Sequence, residues 1–151
     1  LRSERFRITC DEAFREVIAG CAEPAPGRRS TWISATIANA YAALHDAGHA
    51  HSLEVWQGDA LVGGIYGVAI GGFFSGESMF HRVSDASKVA VVLLAEHLRE
   101  RGFALFDVQM VTPVTQQLGA QRIARSVYMA QLQSAVTLPC TFGPDQGRFR
   151  K

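Results

Sequence analysis

The stretch SDASKVAVVLLAEHLRERGFALFDVQMV, residues 84–111, decides the fold class. Its first part reads as one long helix. Ser84 can cap it, Gly102 can end it, and Arg99 and Arg101 fall in the last turn, where the helix dipole favours cations. Asp85, Lys88, Val92, Glu96 and Arg99 trace a narrow outer stripe, and most of the remainder is apolar. So wide an apolar arc fits a helix lying across a sheet. Ala104 to Val111 then reads as a strand, so the helix is a crossover between strands.

Upstream, the pattern changes to a meander. Ser52 to Gln57 is a strand, Gly58-Asp59 a tight turn, Ala60 to Ile70 a second strand, and Gly71-Gly72 leads into a third, Phe73 to Phe80. Glycines 63, 64, 67, 71, 72 and 76 are dense for strands, and they mark bulges, bends or close approach of another backbone. Before the meander, Asp11 to Cys21 and Ser34 to Ala47 read as helices, the second capped by Ser34 and stopped by Gly48. After the crossover come a short turn, Thr115 to Ala120, and a last helix, Ser126 to Val136. The order predicts an α+β domain over 1–151, with a mixed, mostly antiparallel sheet flanked by helices and residues 137–151 as a C-terminal tail.

Composition bounds the function. With 48% apolar and 19% charged residues, the chain is ordinary globular protein rather than disordered or collagen-like. The longest strongly apolar run, Val89 to Ala95, is too short to cross a bilayer, and the three cysteines show no CxxC or disulfide spacing. A cytoplasmic protein with reduced thiols is the expectation. The net charge of +1 advertises no nucleic-acid binding, but phosphate binding needs only a local patch. Candidate patches are Arg2, Arg5 and Arg7, then Arg28 and Arg29, then Arg148, Arg150 and Lys151, each of which also reads as solvated surface.

Two segments carry candidate chemistry. On an extended strand, Asp107 and Gln109 share a face about 7 Å apart. A carboxylate on an interior strand is expensive unless paired, so the pair is either a site or the wet half of an ordinary strand. Glu77, alone in the apolar run Gly76-Glu77-Ser78-Met79-Phe80, reads as a base, a group recognising a cation, or a salt-bridge partner. His45, His49 and His51 superficially suggest metal ligands, but Gly48 breaks the helix between the first two and nothing local completes a set. No G-x-S-x-G elbow is present. The element order is that of GNAT acetyltransferases, yet Arg82-Val83-Ser84-Asp85-Ala86-Ser87 has no glycine and adds an acid where those enzymes cradle pyrophosphate, which disfavours a CoA donor.

Together, Gly48-His49-Ala50-His51-Ser52-Leu53-Glu54-Val55-Trp56, Leu61 to Val68, Gly76 to Phe80, Ala86-Ser87-Lys88, Asp107-Val108-Gln109 and Leu118-Gly119-Ala120, with Thr31-Trp32-Ile33 upstream, resemble the ordered motifs of the leucyl/phenylalanyl-tRNA–protein transferases. The resemblance covers residues 5 to 132. It implies a GNAT-like catalytic domain moving Leu or Phe from aminoacyl-tRNA to proteins or peptides with an N-terminal Arg or Lys, feeding N-degron degradation, with no metal or organic cofactor and no DNA or membrane partner.

By position, the resemblance makes Asp107 a polarising group for Gln109, whose side-chain oxygen takes the proton of the attacking amine, and makes Glu77 the guide for the acceptor's cationic end. It places Trp32, Ile65, Phe74, Met79 and Leu98 around the donor's side chain, although their own pattern reads as ordinary core. Departures are Val114 for a usual His, Ala124 for Pro and Asp85 for Asn. The family's N-terminal subdomain has no counterpart in the sequence, so a fragment weak in tRNA binding is expected. Two other readings remain: a GNAT-like transferase with another acyl donor, and an inactive domain that binds basic N-termini.

Overall fold

The computed structural model describes residues 5–27 and 29–144. The elements run β1 Arg7–Cys10, α1 Phe14–Ala22, α2 Ala35–Asp46, β2 Ala50–Gln57, β3 Ala60–Ile70, β4 Phe73–His81, α3 Ala86–Glu100, β5 Leu105–Asp107, α4 Pro113–Gln117 and α5 Arg125–Ala135. The five strands lie in the order β1-β2-β3-β4-β5, all pairs antiparallel except β4 with β5, which is parallel. The expected α+β class, with α3 as the crossover into the parallel strand, is therefore what the chain forms.

The two sheet faces bury different helices. Alternation on β3 sends Ile65 to a core under α3, with Leu53, Val55, Phe74, Val91, Leu94 and Leu98, and sends Tyr66 to a core with Phe14, Val17, Ile18 and Phe80 on the α1 side. Each such side chain, fully withdrawn from water, contributes about 1.5–3 kcal/mol. The glycines of β3 permit these close layers. A Cβ on Gly63 would stand 2.7 Å from the Cβ of Ala86 in α3, and one on Gly67 would stand 2.2 Å from the carbonyl oxygen of Ser75.

Several boundaries differ from expectation. The helix expected from Asp11 starts at Phe14, because Asp11 takes φ 58° and turns its carboxylate onto the backbone N–H of Ser52. Asp85, not Ser84, caps α3; it is left-handed at φ 69°, and its carboxylate pairs with Lys88 at 3.0 Å rather than with the helix end. Thr112 caps α4, accepting from Thr115, so that helix begins two residues earlier than expected. The strand expected to reach Val111 stops at Asp107, since Gln109 adopts φ 66°, which no strand accommodates.

Of the stretch expected as a tail, the described part to Pro144 packs against the domain. Phe142 is 2% exposed, stacks on His51 at 4.3 Å between ring centres, and its carbonyl accepts from His97 Nε2 at 2.9 Å. Arg2, Arg28, Arg148, Arg150 and Lys151 lie outside the described residues. Arg5 and Arg7, from the first basic patch, lie over the rings of Phe6 and Trp56.

Candidate active site

β4 and β5 part company at the candidate site. Their parallel ladder ends at Ser75 with Asp107, while β4 runs on to His81. Where the ladder stops, the Gln109 side chain takes it over, its Nε2 donating to the carbonyl oxygen of Gly76 at 2.9 Å and to Glu77 Oε2 at 3.2 Å. Two acceptors on that side fix which end of the amide is nitrogen, so Oε1 is the end left to receive a proton donor.

Asp107, Gln109 and Glu77 are thus brought together, but not by the alternation of one strand. Asp107 Oδ1 accepts from the backbone N–H of Gln109 at 2.7 Å, and Oδ2 accepts from the Tyr128 hydroxyl of α5, also at 2.7 Å. Asp107, expected as the polarising group, makes no hydrogen bond to the Gln109 side chain. Glu77 is the carboxylate on that amide, and it accepts as well from Ser75 Oγ at 3.0 Å. The reason is the left-handed turn at Gln109, which points its backbone N–H at Asp107 and its side chain at β4.

Two tyrosines that the sequence did not single out complete the surroundings. Burial first, then the charge and hydrogen bond of Glu77, push the Tyr41 hydroxyl up to about 12. The hydrogen bond to Asp107, followed by burial and the carboxylate's charge, pushes Tyr128 up to about 12. Both phenols therefore stay protonated donors at neutral pH. Against the Tyr41 ring, the Tyr66 hydroxyl is buried without a hydrogen-bond partner among the described residues.

A cavity of about 960 Å³ opens between α3, β5, α4 and α5. Val91, Ala95, Phe106, Leu118 and Ile123 give it apolar walls, and Asp107, Gln109, Arg122 and Tyr128 give it polar ones. Of the five residues expected around a donor side chain, Ile65, Phe74, Met79 and Leu98 belong to the core under α3, with Val91 and Phe106, which also line this cavity. Trp32 does not join them. It is 50% exposed and meets the edge of Tyr41, which in turn meets Tyr66 on the other sheet face.

Of the three candidate histidines, two are held by other partners. His45 Nδ1 bonds the carbonyl of Ala50 at 2.8 Å, and His51 Nδ1 lies 2.7 Å from Asp11.

Residues 1–133 match the family model described as leucyl/phenylalanyl-tRNA protein transferase. A leucyl/phenylalanyl-tRNA–protein transferase of Afipia carboxidovorans is 52% identical over 142 residues, 94% of this chain and 63% of that protein. One from Rhodopseudomonas palustris is 52% identical over 91% of this chain and 60% of itself, and one from a Synechococcus strain is 49% identical over 94% and 72%. The chain therefore spans about three fifths of the first two of these relatives. Among solved structures, a ribosomal-protein-alanine N-acetyltransferase from Brucella melitensis aligns over 80% of this chain and 95% of its own, with TM-score 0.57 and 15% identity. An aminoglycoside acetyltransferase from a soil metagenome aligns over 82% and 95%, with TM-score 0.59 and 10% identity. At such identities the likeness speaks for the GNAT fold alone.

Proposed function

We propose, because this chain belongs to the leucyl/phenylalanyl-tRNA protein transferase family, that it forms the catalytic part of an aminoacyltransferase moving Leu or Phe from aminoacyl-tRNA to an N-terminal Arg or Lys. The observation that carries the reading is the Gln109 amide, anchored through nitrogen to Gly76 and Glu77 beside a cavity with apolar walls. The acceptor's α-amine donates a hydrogen bond to Gln109 Oε1 and attacks the ester carbonyl carbon. A carbon–nitrogen bond forms, the bond to the ribose oxygen breaks, and the amine's proton ends on that oxygen.

An amide is a weak base, but little basicity is needed. A free α-amino group titrates near 7.7–8.0, so about a tenth of it is already neutral at pH 7. The Glu77 carboxylate draws on the Gln109 N–H and enriches its oxygen, which assigns the polarising role to Glu77 rather than to Asp107. Positioning of the two substrates then supplies most of the rate. Glu77 has no ion-pair partner among the described residues, which leaves its charge for a cationic acceptor.

For the donor, Ile65, Phe74, Met79 and Leu98 back the apolar wall that Val91 and Phe106 present to the cavity. Trp32 packs on Tyr41, whose hydroxyl bonds Glu77, and that contact favours a role toward the acceptor rather than the donor. Trp32→Ala is accordingly expected to leave the preference between Leu-tRNA and Phe-tRNA unchanged and to raise the acceptor KM. A competition assay with both charged tRNAs checks it, and an altered donor preference would return Trp32 to the donor pocket.

An acyl-CoA donor is the rival enzymatic reading, favoured by the fold likeness but opposed by Asp85, which puts a carboxylate at the start of α3. The decisive experiment is transfer of radiolabelled Phe from Phe-tRNA to an Arg-starting peptide, by this chain and by this chain extended with the N-terminal part of a relative. Transfer in either supports the proposal. Acyl-CoA binding in calorimetry, with no transfer in both, would replace it. A cytoplasmic place in N-degron degradation follows from the same reading.

A further inference from the structure

We infer that Tyr128 is a positioning residue of this site: through Asp107 it holds the left-handed turn that aims Gln109 at β4. The inference rests on the role proposed above for Gln109. Beyond Asp107 no sheet ladder constrains the chain, and Gln109 nevertheless holds φ 66°, a conformation that residues with a Cβ rarely adopt. The backbone N–H of Gln109 is tied to Asp107 Oδ1, and Asp107 Oδ2 is tied to Tyr128, which α5 carries 21 residues further on. A carboxylate gripped from one side by an N–H and from the other by a phenol has a fixed rotamer. That rotamer sets the direction of the turn, and the turn sets where the amide lands.

Neither oxygen of Asp107 hydrogen-bonds the Gln109 side chain. Asp107 therefore acts here through two acceptor directions and not through its charge. Asparagine supplies nearly the same pair: its oxygen accepts from the Gln109 N–H, and its NH2 donates to the Tyr128 oxygen, a phenol being able to accept as well as donate. Alanine supplies neither. A charge-based role for Asp107 makes the two substitutions equally damaging, whereas a strut makes them differ.

The test compares Tyr128→Phe, Asp107→Ala and Asp107→Asn, with Met129→Ala as a control at a 37% exposed position of the same helix. Hydrogen exchange of the Gln109 backbone amide and the shift of its side-chain NH2 are read by NMR, and single-turnover transfer is measured alongside. Tyr128→Phe and Asp107→Ala are expected to speed Gln109 exchange, move its NH2 resonance and lower the transfer rate roughly tenfold, with acceptor KM unchanged. Asp107→Asn keeps most of the wild-type behaviour, Met129→Ala keeps all of it, and Tyr128→Phe adds nothing to Gln109→Ala. An unchanged Gln109 amide in Tyr128→Phe overturns the inference, as does an Asp107→Asn as damaged as Asp107→Ala. The NMR signals need no turnover. A chain that transfers nothing even when extended with the N-terminal part of a relative thus removes the aminoacyltransferase reading, while the tie from Tyr128 to Gln109 is judged separately.

Discussion

On the proposed mechanism, Gln109→Ala is expected to lower transfer roughly 100-fold or more and to leave the fold unchanged. The side chain is exposed and contributes nothing to either core; its partners are one backbone carbonyl and one carboxylate at the edge of β4. Removing it takes one hydrogen bond from the Gly76 carbonyl and one from Glu77, a loss of about 1–3 kcal/mol that leaves both cores intact. What disappears, on the proposed mechanism, is the acceptor for the amine's proton, together with the bond from Gln109 to Glu77. Circular dichroism and a urea midpoint check the fold, and single-turnover transfer from Phe-tRNA checks the rate.

Strain has to be separated from chemistry at this residue, because φ is 66°. Gln109→Gly relieves the conformation and deletes the same amide. Equal losses of transfer in the two variants assign the effect to the side chain; a glycine variant with near-normal transfer would falsify the role of Oε1. Gln109→Glu sets a second carboxylate against Glu77, and like charges at that distance force one of them to hold a proton. Its residual transfer is therefore expected to fall as pH rises above the carboxylate range.

The contrast between α3 and β5 explains how much of this was legible. The α3 signal is local: a broad apolar arc, charges on one stripe, and Gly102 at φ 83° ending the helix where the sequence places the stop. Turns at Gly58-Asp59 and Gly71-Gly72 punctuate the meander in the same local way, so strand limits there fall within two residues of expectation. β1 gives no such signal. Four residues long, it exists because β2, more than forty residues away, offers an edge. The end of β5 was equally hidden, since a left-handed turn is announced by glycine or asparagine and here falls on Gln109. Asp107, Gln109 and Glu77 were legible as candidates from strand pattern and from the family's motifs, but their bonds were not. Pairing Asp107 with Tyr128 rather than with the Gln109 amide depends on where α5 docks, and no spacing along the chain encodes that.

Glu54→Ala is the substitution expected to cost the most stability, roughly 3 kcal/mol or more. Glu54 is 0% exposed, a carboxylate in the middle of β2, and it is not part of the site. Its hydrogen bonds explain its presence. The hydroxyls of Thr9 and Ser52 donate to it, and so do the backbone N–H groups of Glu12 and Ala13. Ala13 is the N-cap of α1, and Glu54 accepts from its backbone N–H, so a strand supplies the acceptor that a Glu or Gln in the helix's own first turn gives in a capping box. Alanine orphans these donors together and leaves a hole between β1, β2 and α1.

Glutamine is the informative comparison, because it keeps one oxygen for the backbone donors while its NH2 meets Ser52 Oγ, a hydroxyl that can turn and accept. Burial, outweighing these hydrogen bonds, raises the Glu54 pKa. A raised folded-state pKa means that the carboxyl's stabilisation is complete below the unfolded value and declines as pH climbs through the folded one. Wild type is therefore expected to gain on Glu54→Gln as pH is lowered toward the carboxylate range, while Glu54→Ala stays far below both at every pH. Urea midpoints across pH, with amide exchange at Phe14 to Val17 reporting the start of α1, measure both. An alanine variant as stable as wild type would mean that α1 needs no cap from β2.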